Sequence, residues 1–86
     1  MASKTVSVAA NDGLAGPAAT ALANAARTLE AEVILTLIGG DEDDETDVSS
    51  ALMIMAMGAR RGDNVTVTSD DPDAVDYIAG LIESGS

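Results

Sequence analysis

Few residues in this chain are equipped for chemistry, and the most suggestive stretch is NDGLAGPAATAL, Asn11 to Leu22. Its glycines and proline have the form of a loop running into a helix N-terminus, where free backbone amides and the helix dipole favour an anion. Gly16 can leave an amide available there, and Pro17 suits the first helical position. The reacting group is nevertheless missing: Ala15 offers a methyl, and Pro17 brings neither a charge nor an N–H. The chain contains no histidine and no cysteine, so imidazole and thiolate nucleophiles and thiolate metal sites are all excluded. Taken by itself the stretch reads as an ordinary loop-to-helix junction.

Three further groups bear on function. Ser49 or Ser50 precedes ALMIMAMG, where a serine oxygen can cap a helix by accepting a first-turn amide. A phosphate on Ser50 would sit favourably at the same helix start, so Ser50 is also a candidate modification site. Ala51 to Met57, with Leu52, Met53, Met55 and Met57, is apolar at every position. So short a helix cannot bury all of them, and adaptable methionines suit a docking patch. Finally, DEDDETD, Asp41 to Asp47, holds six acids in seven residues. It lacks the mid-loop glycine and closing glutamate of a calcium loop, and reads as a solvated turn. No other catalytic constellation and no metal or cofactor motif is visible.

The elements that must carry these residues follow from periodicity. Thr5 to Val8 alternates polar and apolar, as a half-buried strand does. From Ala18 to Leu29 an amphipathic helix is predicted, with Ala18, Leu22, Ala25, Ala26 and Leu29 inward and Asn24, Arg27 and Thr28 outward. Glu32 to Ile38 is apolar on both parities and β-branched, which predicts the most buried strand, closed by Gly39-Gly40. The acidic turn leads into at most a short edge strand, and Gly58 ends the methionine helix in the left-handed conformation. Asn64 to Thr68 alternates again. Asp71-Pro72 supplies a cap and first-turn proline to a last helix that turns Val75, Ile78, Ala79 and Ile82 to one side. Strands and helices in this order predict an α+β sandwich, with helices on one face of a mainly antiparallel sheet.

Composition bounds the rest. With 86 residues the chain is expected to form a single domain over 1–86. Hydrophobic residues make up 47% but aromatics only 1%, so the core must be aliphatic. The formal charge of −11 repels phosphate backbones and anionic lipid, which argues against nucleic-acid and membrane partners. No apolar run has the length of a signal peptide or membrane span, so a cytoplasmic monomer is expected.

Over nearly its whole length, from KTVSVAANDGL through SSALMIMAMGARRGDNVTVTS to the last helix, the sequence resembles HPr, the small phosphocarrier family of the phosphoenolpyruvate:sugar phosphotransferase system. Two places carry most of the resemblance. Gly13-Leu14 and the helix with Ala19-Thr20-Ala21-Leu22 stand where the family writes Gly-Leu/Ile-His-Ala-Arg-Pro-Ala. Ser50-Ala51-Leu52-Met53, with Met57-Gly58 and Gly62, matches the family's regulatory serine and short hydrophobic helix. The long acidic run resembles members from high-GC Gram-positive bacteria.

The resemblance implies a four-stranded antiparallel sheet covered by three helices, and a carrier passing phosphoryl groups from Enzyme I to sugar-specific enzyme II proteins. It places partner contacts at Gly16, Thr20, Ala21, Asn24, Ala51, Leu52, Met53, Met55 and Met57. Aligned without a gap, the family's phosphoacceptor histidine falls on Ala15 and its arginine on Pro17. A one-residue gap would pair Pro17 with the family's proline instead, at the expense of Thr20 and Leu22, and would still supply no histidine. The expectation is an HPr-like domain without carrier chemistry, serving as an inactive-site variant or a docking or regulatory module. The alternative is a binding domain that uses this fold for an unrelated partner or small ligand. Ser50 or Thr20 as a substitute nucleophile is disfavoured, because hydroxyl esters are too stable for easy onward transfer.

Overall fold

A computed structural model describes residues 1–11, 13–38 and 45–85. Strand β1 (Ala2–Ser7) leads to helix α1 (Pro17–Thr28) and strand β2 (Val33–Leu37); then come β3 (Glu45–Asp47), α2 (Ala51–Met57), β4 (Asn64–Ser69) and α3 (Pro72–Ser84). The four strands form one sheet in the order β1-β4-β2-β3, and every neighbouring pair is antiparallel. This is the three-helix, open-faced antiparallel sheet that the α+β reading anticipated. Gly39-Gly40 and the first part of the acidic run lie outside the described residues. Glu45–Asp47 is the short edge strand expected after it.

Alternation sorts the strand residues into two faces. On the inner face Val6, Val65 and Leu37 stand in one row, and Val67, Leu35 and Thr46 in the next. Here Leu35, Val65 and Val67 are fully buried, closed over by Leu22, Ala23 and Ala26 of α1, Ile54 of α2, and Val75, Ile78 and Ile82 of α3. Burying a leucine such as Leu22 contributes about 1.5–3 kcal/mol. Small alanines on facing helices let this aliphatic core close without an aromatic; the single tyrosine, Tyr77, is half exposed.

The expectation that β2 is the most buried strand is not met. Ile34 and Leu37 are only half-buried, whereas β4 buries Val65, Val67 and Ser69. For Ile34 the reason is architectural: among the described residues no layer covers the outer face of the sheet, so an apolar residue on the outer parity of a central strand stays partly open. Leu37 is on the inner parity but is the last residue of β2. Ser69 is accommodated inside because its hydroxyl donates to the Glu32 carbonyl at 2.7 Å and accepts the Asp71 amide at 3.2 Å.

Candidate functional site

The loop before α1 is held in place by the connection between α2 and β4. The Leu14 amide donates to the Ala59 carbonyl at 3.0 Å and the Gly62 amide to the Val8 carbonyl at 2.8 Å. Gly13 has φ +73°, and a Cβ there would meet the Ala59 carbonyl oxygen at 2.3 Å. Only glycine lets the two backbones approach this closely. Leu14 then drops into the core, which leaves Ala15 and Gly16 exposed at the start of α1.

Helix α1 begins one residue earlier than its periodicity predicts, with Gly16 at the N-cap, Pro17 in the first turn and no side-chain cap. Gly16 has φ 55° and ψ −124°, a conformation essentially reserved for glycine. Its carbonyl accepts the Thr20 amide at 3.1 Å and the Thr20 hydroxyl at 3.2 Å, so that hydroxyl is engaged with its own helix. Ala10, Asn11, Ala15, Pro17 and Ala21 line a shallow, largely apolar depression of about 350 Å³, which Gly85 at the end of α3 also borders. At its rim Arg61 Nη1 donates to Asn11 Oδ1 at 3.3 Å. Methyl groups and a proline ring thus form most of the surface where the helix start points, and no nucleophile stands among them.

The start of α2 is furnished differently. Ser50 is the cap: its oxygen accepts the Met53 amide at 3.3 Å. Ser49 turns back instead, donating through its amide and hydroxyl to Asp47 Oδ1 at 3.0 and 2.8 Å. Gly58 closes the helix with φ 74°. Ile54 is the only residue of α2 to be buried, while Ala51 and Met57 are half-buried against the core. Leu52 is 76% exposed, Met53 44% and Met55 40%, so these three form the open apolar surface.

On α1, Thr20, Ala21 and Asn24 are exposed. Arg27 continues the stripe of Thr20 and Asn24 at i+7, and its Nε donates to the Ser49 carbonyl at 3.2 Å. The outer stripe of α1 therefore runs from the Gly16 loop to the start of α2, bringing the two candidate regions onto one continuous surface. The contacts of Arg27 and Arg61 were not read from the sequence. The Arg60-Arg61-Gly62-Asp63 run signals a turn, but its approach to Asn11 depends on the sheet register.

Comparison with known proteins identifies this arrangement. The family model of the PTS HPr component phosphorylation site matches residues 2–84, and the chain belongs to that family. The family consists of phosphocarrier proteins of the phosphotransferase system, rather than free-standing enzymes, and these work with other enzymes of that system. Among solved structures, HPr-C-His from Thermoanaerobacter tengcongensis superposes with a TM-score of 0.84 at 20% identity, over 99% of this chain and 94% of that one. The phosphocarrier protein HPr from Bacillus anthracis gives 0.83 at 20% identity, over 94% and 95%. A histidine-containing phosphocarrier protein of Mycoplasma gives 0.74 at 21% identity, over 98% and 90%. At these identities the likeness is one of fold. Among the described residues no helix is long and apolar enough to cross a membrane.

Proposed function

We propose that this chain is a single-domain HPr-like protein that has kept a docking surface and lost the phosphoryl-carrying step. The observation that carries the reading is the surface at the start of α1. In a family of phosphocarriers, a chain without any histidine presents Ala15 and Pro17 at an apolar depression, with Gly16 exposed between them. On the ungapped reading of the HPr resemblance, Ala15 takes the phosphoacceptor position and Pro17 that of the arginine. A carrier needs a phosphoryl bond labile enough to pass on, which an imidazole nitrogen provides near neutral pH. A methyl group provides none, and the Thr20 hydroxyl is turned back to Gly16.

Docking is supported by the exposure of Leu52, Met53 and Met55 beside Thr20, Ala21 and Asn24. The partners are Enzyme I and sugar-specific enzyme II proteins, and Ser50 is the candidate regulatory phosphosite. The setting is the cytoplasm, with the domain acting as a monomer. The test is incubation with Enzyme I and phosphoenolpyruvate, followed by intact mass and by Enzyme I-induced chemical shifts. Unchanged mass with shifts on α1 and α2 is expected. An added phosphate that survives base but not acid would overturn the loss of carriage, and absence of any shift would overturn the docking.

A further inference from the structure

The sheet has a second surface that the HPr reading leaves unused. Its outer parity carries Ser3, Thr68, Ile34 and Asp47 in one row and Thr5, Thr66, Thr36 and Glu45 in the next. Ser7 and Asn64 pair beyond them. Part of this lattice is tied together side chain to side chain: Thr5 Oγ1 and Thr66 Oγ1 share a hydrogen bond of 2.9 Å, and Ser7 Oγ donates to Asn64 Oδ1 at 2.8 Å. Such side chains have little rotamer freedom left to lose on contact.

Apolar ground and negative charge alternate across this face. Ile34 is half-buried and Ile38, two residues past Thr36, is 52% exposed. A depression of about 270 Å³ sits over Ile34, Thr36 and Thr68 and is bordered by Glu32, Glu45 and Asp70, and by Met1 with its terminal amino group. The two rows and this border contain four carboxylates and no lysine or arginine among the described residues. Lys4 lies on the other parity beside Val67, and Arg27 and Arg61 bond to Ser49 and Asn11 away from the sheet.

We infer that the open sheet face docks a lysine- or arginine-bearing polypeptide segment of a partner protein. Spacing selects this occupant over an ion. Among the described residues no three acidic groups converge closely enough to hold a metal, so the charge is distributed over separated carboxylates. Lysine and arginine lay an aliphatic stem on apolar ground and keep a charged head at its edge. Ile34 and Ile38 supply that ground, and Glu32, Glu45 and Asp70 the edge. This inference is independent of the Enzyme I surface, which lies on α1 and α2.

The test is a titration of the isotope-labelled full chain with an octalysine peptide, a Gly/Ser peptide of equal length, and spermine. Octalysine should shift Ile34, Thr36, Thr66 and Thr68, with the effect removed by high salt. A Glu32→Gln/Glu45→Gln/Asp70→Asn triple variant should bind octalysine about tenfold more weakly, as expected for a few exposed ion pairs. The charge-matched Glu30→Gln/Asp76→Asn/Glu83→Gln variant, altered only at exposed helix-side positions, should bind as the parent does. Equal weakening in both triples, shifts centred on α1 and α2, or no binding would overturn the inference. Spermine binding as tightly as octalysine at the same residues would reassign the face to small polyamines and overturn the polypeptide.

Discussion

The starts of α1 and α2 are fixed in place by opposite means. Helix α2 is capped by its own Ser50 and ended by its own Gly58, so its boundaries are local. Helix α1 has no side-chain cap, and the loop before it depends on the Ala59 to Gly62 segment for its position. The difference separates shape from chemistry. A helix start can be held in place by distant backbone contacts alone, so its reactive and charged groups can be absent without loss of the fold. Where the cap is itself a hydroxyl, structure and a potential modification share one atom and are lost together.

The largest expected effect comes from restoring chemistry at α1. Ala15→His should give slow, acid-labile phosphorylation by Enzyme I where the parent gives none. Adding Pro17→Arg should raise the initial rate by about one to two decades, the equivalent of roughly 1.5–3 kcal/mol of charge-assisted hydrogen bonding. Gly16 should be left in place, because its φ of 55° and ψ of −124° would strain an alanine. A double variant no faster than the single one would show that the loop is registered differently from the ungapped alignment.

Next in size is the anchor of that loop. Gly13→Ala meets both a positive φ and the Ala59 carbonyl, and should cost about 2–4 kcal/mol by strain plus overpacking. At Gly58, where a Cβ would find open space, alanine should cost only about 1 kcal/mol. Thermal or denaturant unfolding of the two variants checks the contrast, and equal losses would mean that both helices are positioned locally.

On the docking side, Met53→Asp should weaken Enzyme I binding by about 2 kcal/mol, roughly thirtyfold, by desolvating a charge at the interface. Its effect on stability should be small, since Met53 is exposed in the free protein. Unaltered affinity would remove α2 from the interface.

The smallest effect is at the cap. Ser50→Ala should lower stability by about 1 kcal/mol, whereas Ser50→Asp should leave the melting temperature near that of the parent while reducing partner affinity. A fall in melting temperature with unchanged binding would make Ser50 a purely structural residue.

The amino-acid sequence by itself determined the order of elements, a serine cap at Ser49 or Ser50, the Asp71 cap, the Gly58 ending and the aliphatic character of the core. Each follows from interactions between residues a few positions apart, or from composition. It also determined the absence of histidine, and hence that no imidazole is available to the chain. Tertiary structure alone decided the rest. Ile34 and Val33 are both β-branched neighbours on one strand, and only the missing layer on one side of the sheet separates a half-open residue from a fully buried one. Gly13 reads as a common loop glycine until the Ala59 carbonyl is seen against it. Arg27 at Ser49, Arg61 at Asn11, and the carboxylates gathered around Ile34 come from segments far apart in the chain. Local patterns record what each element buries, whereas strand register and layer order decide which surfaces meet and which stay open.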